Sequence, residues 1–185
     1  MNFKPISNKF EYLNWQEIES IAKEKRSTVI WPFGAVEQHG PHLPLATDSI
    51  FVDDIISEVF KLLPDGIPLK KLPTQYIGFS PEHKGFAGTI SLSSNLITSM
   101  IKEVGGQLSE MGFKRLILIN GHGGQISLLN TAARELRSFA PRMAVFPCFL
   151  WSGVNGLSEL LTKTEIEDGL HASLAETSLM LALKP

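Results

Sequence analysis

Arg115-Leu116-Ile117-Leu118-Ile119 runs without a break into Asn120-Gly121-His122-Gly123-Gly124, and this junction decides the fold. The apolar run is too short for a helix and too uniformly apolar for a sheet edge, so it reads as a central strand covered on both faces. The glycines beyond it let the chain turn and let backbone come close to a ligand, with a histidine between them. A helix is expected over residues 126–138 and a second buried strand over 143–150. Upstream, Leu96, Met100, Ile101, Val104, Leu108 and Met111 share one face of a helix over 95–111. The Gly105-Gly106 pair weakens that helix but permits close packing against it.

Working towards the N-terminus gives the same alternation. Residues 15–25 have helical spacing, and 27–33 (STVIWPF) form a first strand ending at Gly34. Ile50, Phe51, Ile55, Val59 and Leu62 mark a helix over 48–63, stopped by Pro64-Asp65-Gly66. Residues 70–78 and 88–92 read as extended, separated by a polar loop over 79–85, and a last helix covers 173–183. Strands alternating with helices predict a three-layer α/β/α domain on a mainly parallel sheet, one domain spanning 1–185. In such sheets the active crevice lies beyond the strand C-termini. Two polar, glycine-rich loops sit there, 34–48 and 120–125.

Composition narrows the function. Of 185 residues, 43% are apolar and 19% charged, and 17 Lys and Arg nearly balance 19 Asp and Glu. A core of this size needs neither a disulfide nor a structural metal to fold, so any metal calls for a chemical explanation. A net charge of -2 disfavours a nucleic-acid or membrane-surface partner. Cys148, in the apolar stretch 145–151, is the only cysteine, which excludes an intrachain disulfide and a thiolate cage. Residues 1–15 lack the apolar core of a signal peptide, and no run approaches a membrane span. The expectation is a soluble cytoplasmic protein.

Glu37 and His39 follow the first strand two residues apart, which in extended backbone points both side chains the same way. Asp48 opens the next helix after a loop stiffened by Pro41 and Pro44. One segment thus offers three oxygen or nitrogen donors, although solvated loop residues and a helix N-cap would look the same. His122 occupies the glycine turn. Five residues separate His171 from Glu176, about 140° on a continuous helix, so they share a site only if His171 precedes the helix. Ser173 and Glu176 also match a capping box, a purely structural reading of that glutamate. His42 and His83 sit in loops, where loop structure or substrate contact outweighs ligation, and 23–26 read as a solvated basic face.

The run Pro32-Phe33-Gly34-Ala35-Val36-Glu37-Gln38-His39-Gly40-Pro41-His42-Leu43-Pro44-Leu45-Ala46-Thr47-Asp48 resembles the first signature of the creatininase (creatinine amidohydrolase) family. Gly78-Phe79-Ser80-Pro81-Glu82-His83, Phe86-Ala87-Gly88-Thr89-Ile90-Ser91-Leu92, Asn120-Gly121-His122-Gly123-Gly124 and His171-Ala172-Ser173-Leu174-Ala175-Glu176-Thr177-Ser178 follow in family order. The resemblance implies a three-layer α/β/α metal-dependent hydrolase of carbon-nitrogen bonds in small amides and cyclic amides, assembled as a homo-oligomer, often a hexamer. Carried over by position, it implies Glu37, His39, Asp48, His122 and Glu176 as ligands of two divalent metal ions, with Asp48 shared. It places His171 on the catalytic histidine and Ser80 on a substrate contact. Creatininase takes a ligand glutamate two residues beyond the GH histidine, where this chain has Gly124, and relatives with GHGG take it from the position of Glu176.

Gln125 stands where many relatives have Asn, and Ser173-Leu174 where they carry an acidic residue. The chain ends at Pro185, where relatives usually continue, so a shortened member or a missing C-terminal portion is expected. Three carboxylates, two imidazoles and no thiolate suit Zn²⁺ first, then Mn²⁺ or Fe²⁺, in an open catalytic site. The leading expectation is an amidohydrolase. The alternatives are an inert metal-binding assembly subunit, motivated by Leu174 and the end at Pro185, and a lactonase or isomerase on the same scaffold.

Overall fold

The computed structural model describes residues 7–185; the part of the leader reading that falls on residues 1–6 lies outside the described residues. Four strands, β1 (Thr28–Phe33), β2 (Leu69–Lys71), β3 (Arg115–Asn120) and β4 (Ala144–Phe149), pair in the order β2-β1-β3-β4 and run parallel throughout. Parallel neighbours need crossovers, and helices supply them: α2 (Thr47–Leu62) after β1, α3 (Ser94–Met111) before β3, and α4 (Ile126–Phe139) between β3 and β4. α1 (Trp15–Ala22) precedes the sheet, and α5 (Leu157–Leu160), α6 (Lys163–Asp168) and α7 (Leu174–Leu183) follow it.

The larger core lies on one face, where Val29, Trp31, Phe33, Leu116, Leu118 and Val145 meet the apolar stripes of α1, α3 and α4. On the other face Ile30, Leu69 and half-buried Ile117 and Ile119 meet Ile56 and Phe60 of α2, and α7 packs on α2. Gly105 shows why a helix tolerates a glycine pair: a Cβ there would overlap Leu136 of α4. Asn14 caps α1 through a capping box with Glu17, and Gly112, at φ 105°, ends α3 in the left-handed conformation glycine favours.

Several expectations are corrected. The extended stretch over 70–78 forms a strand only at Leu69–Lys71, then Pro73 interrupts it and pairing resumes at a single Phe33–Gln75 bridge. Within 88–92 only Ile90 pairs, as a bridge to Val36. β4 is not buried: it forms the outer strand among the described residues, with Ala144, Phe146 and Cys148 exposed. β3 is central, but only alternate residues are fully covered. β1 is buried along its whole length. Asp48 lies in the first turn of α2 and does not cap it. No helix among the described residues is long and apolar enough to cross a membrane.

The register sets Phe33 beside Asn120, so the loops leaving β1 and β3 emerge side by side. The chain crosses to β2 on one side of β1 and to β3 on the other, which makes this the switch point where α/β crevices open.

Candidate metal centre and active site

Glycines bring the two loops together. A Cβ on Gly34 would overlap Ser49 near the start of α2, and one on Gly121 would stand 2.6 Å from the Asp48 carbonyl. Ser49 fastens the contact by donating to the Ala35 and Tyr76 carbonyls, 3.1 Å each. The β1 loop, the first turn of α2 and the β3 loop therefore converge.

Glu37, His39, Asp48 and His122 meet there, none more than 3% exposed. His39 donates from Nδ1 to the Glu37 carbonyl (3.1 Å), which turns Nε2 towards Asp48 Oδ1 at 3.3 Å. His122 is held by reciprocal bonds with Asn120: its N–H donates to Asn120 Oδ1 (3.0 Å) and Asn120 Nδ2 donates to its carbonyl (2.8 Å). Gln125 braces the same turn, donating to Asn120 Oδ1 and the Gly34 carbonyl at 3.0 Å. His122 Nε2 donates to the Phe79 carbonyl (3.0 Å), leaving Nδ1 at 3.0 Å from Glu37 Oε1 and 3.3 Å from Asp48 Oδ2. Asp48 thus presents one oxygen to each histidine. Its place in the first turn of α2 suits a carboxylate, because the helix dipole favours negative charge there.

Both oxygens of Glu37, Asp48 Oδ2 and His39 Nε2 are buried without a hydrogen-bond partner. Two desolvated carboxylates without donors are costly unless a cation sits between them. The site's own chemistry points the same way. Burial alone would lower the His122 pKa, but the Asp48 and Glu37 carboxylates beside it outweigh that and push it up to about 10. His39 is raised against the same burial by Asp48. Asp48, which burial would raise, is held down by His122 and His39. The buried carboxylates thus call for positive charge beside them, and the residues fit a metal ion.

His171 and Glu176 join from the far side. His171 precedes α7, in a turn where Ala172 takes φ 50°. It donates from Nε2 to the Gln38 carbonyl (2.7 Å), so Nδ1 faces Glu37 Oε1 at 3.9 Å. His39, His171 and Glu176 offer donor atoms all within 4.8 Å of one another. Glu176 also completes the capping box of α7, accepting from the Ser173 N–H at 3.3 Å, so the structural reading holds for one of its oxygens. Burial raises its pKa.

Ser80 is fully buried. Its hydroxyl lies 3.3 Å from His122 Nε2, and it does not line the cavity beside the site. His83 stacks on His171 with ring centroids 4.5 Å apart, and His42 Nε2 lies 2.9 Å from Thr177 Oγ1. Sequence reasoning missed Glu82, whose Oε1 is 3.3 Å from His122 Nε2; its adjacency to His83 in the quoted block was the only signal. It also missed the short helices α5 and α6. The cavity, about 670 Å³, is lined by Asp48, His122, His171 and Glu176 together with Trp151, Leu157, Leu161, Ile166 and Leu170.

Comparison with known proteins gives this geometry a family. A model of the creatininase family, described as creatinine amidohydrolase, matches residues 11–185. The chain is 32% identical over 164 residues to the mycofactocin precursor peptide peptidase of Mycobacterium tuberculosis, covering 85% of this chain and 59% of that protein. It is 28% identical over 187 residues to the creatinine amidohydrolase of Pseudomonas putida, covering 94% and 70%. A solved structure named as the manganese form of creatininase superposes with a TM-score of 0.80 at 28% identity, over 97% of this chain and 74% of that one. The chain thus spans 59% of the length of the mycofactocin peptidase it matches. With a family model covering nearly its whole length and a shared parallel-sheet fold, the chain belongs to the creatininase family.

Proposed function

We propose that the chain carries the active site of a metal-dependent amidohydrolase that cleaves a carbon-nitrogen bond in a small amide or cyclic amide. The observation that carries this reading is the pair of buried carboxylates, Glu37 and Asp48, with unpartnered oxygens facing imidazoles, Asp48 and His122 standing at the wall of the cavity. Relatives named for amide cleavage and a likeness to a manganese-named creatininase support it.

Glu37, His39, Asp48, His122 and Glu176 would hold two divalent ions, Zn²⁺ first and Mn²⁺ or Fe²⁺ otherwise, with Asp48 shared because its two oxygens face different histidines. Such ions, when bound, supply Lewis acidity that polarises a carbonyl and lowers the pKa of a water. The chain's own residues do the rest. His39 and His122 each give one ring proton to a backbone carbonyl, which fixes the tautomer and leaves the other nitrogen free as a donor. His171 takes a proton at Nδ1 from the attacking water and passes it to the departing nitrogen; its other nitrogen is tied to Gln38 and its ring is held by the His83 stack. The wall of Trp151, Leu157 and Ile166 keeps water away and receives the apolar part of the substrate. Assembly as a homo-oligomer is carried over from the family resemblance alone.

The test is hydrolysis of a panel of small amides and cyclic amides by metal-replete protein. Activity in the wild type, with kcat reduced about 10²- to 10⁴-fold and metal content unchanged in His171→Ala, is the expected result. No hydrolysis across the panel by metal-replete protein would overturn the reading, and full activity in His171→Ala would remove that residue from the reaction.

A further inference from the structure

Glu82 sits in a single 3₁₀ turn, Pro81–His83, some forty residues of sequence away from the His122 loop it faces. Its carboxylate reaches across the space above Gly124: a Cβ at position 124 would overlap Glu82 Oε1 and stand 2.6 Å from His122 Nε2. The glycine here has no positive φ to satisfy, so its consequence is room for that carboxylate. Glu82, Glu37 and His122 each offer a donor atom, all within 4.8 Å of one another. Both oxygens of Glu37, which is fully buried, remain without a partner.

We propose that Glu82, whose carboxylate here lies against His122 Nε2, turns onto the ion that Glu37 and the opposite ring nitrogen, Nδ1, would hold. This rests on the metal-dependent reading above and adds a ligand to it. Glu37, His122 and Glu82 then form one group of donors, and His39 and Glu176 belong to another. Charge permits the addition: Glu37, Asp48 and Glu176 carry three negative charges against the four positive charges of two divalent ions. Unlike Glu37 and Asp48, the Glu82 side chain is 41% exposed. It can swing off an ion at the mouth of the cavity while the buried ligands stay in place, which makes it the one carboxylate of the set able to yield a position to substrate.

The experiment is titration of chelator-stripped full chain with Zn²⁺, followed by calorimetry and elemental analysis, on wild type, Glu82→Ala and Glu82→Gln. The turn is exposed, so both variants should melt, metal-free, at the wild-type temperature. The expected result is two ions per wild-type chain and, in both variants, one ion retained with the other weakened about 100-fold or more, beyond the 10- to 100-fold usual for groups that merely orient a ligand. A smaller loss in either variant, with two ions still bound, overturns the assignment of Glu82 and leaves the metal-dependent reading intact. A wild type that takes up no ion overturns both.

Discussion

Gly105 and Leu136 are both buried, on α3 and α4, and a Cβ at 105 would overlap the Leu136 side chain. Their substitutions should therefore be strongly coupled. Leu136→Ala removes a fully buried side chain beside a rigid glycine and should cost about 2–5 kcal/mol. For a domain of this length that is a fall in Tm of about 2–4 °C per kcal/mol. Gly105→Ala in the wild-type background gains about 1 kcal/mol of helix propensity but loses about 1–3 kcal/mol to overpacking. In the Leu136→Ala background the overpacking disappears, because the new methyl enters the space the leucine left. The same substitution should then stabilise, making the double variant firmer than Leu136→Ala alone. Urea denaturation of the four proteins measures the coupling, expected at about 1 kcal/mol or more against the ~0.5 kcal/mol scatter of independent sites. Additive effects would refute the close packing of α3 on α4.

Asp53 accepts from Lys71 Nζ and Thr74 Oγ1, 2.6 Å each, and Lys71 is buried. Burial would raise the Asp53 pKa, but these two donors outweigh it and lower it. Its stabilisation is thus complete above the ordinary aspartate pKa of about 4 and lost as pH falls through the lower folded value. Melting curves of Asp53→Asn should fall less steeply with acid than those of the wild type; parallel profiles would refute the pairing. Asn120→Ala strips both bonds that clamp the His122 backbone, and should cost about 1–3 kcal/mol and weaken metal uptake together, as denaturation and metal titration would show; uptake equal to wild type would contradict the clamp.

The sequence carried the fold where local pattern and tertiary role agree. The uniformly apolar runs that became β1 and β3 were legible because such runs have no other use in an α/β domain, and the glycines after each marked the crevice. β4 misled because its apolar residues, Phe146 among them, lie on an outer strand, and composition does not reveal a strand's place in a sheet. Residues 88–92 pair only at Ile90, across a partner some fifty residues away that no local rule identifies. α5 and α6 contain no buried residue and so leave no apolar stripe to read. Within the site, Glu37, His39 and Asp48 were legible from spacing in one segment. His171 and Glu176 depended on whether the chain was helical between them, and the structure starts α7 at Leu174, after the histidine. Glu82 was not legible, because its meeting with His122 is made by the turn at Pro81–His83 folding over the β3 loop.

The central claim is a metal centre in which Asp48 is shared, and metal content measures it most directly. Elemental analysis of wild type and Asp48→Asn, each stripped and then equilibrated with Zn²⁺ at equal free concentration, should give two ions per wild-type chain. Asp48→Asn should lose affinity for both, since each oxygen of Asp48 faces a different histidine. Wild type without metal, or Asp48→Asn retaining both ions with unchanged affinity, would contradict the account.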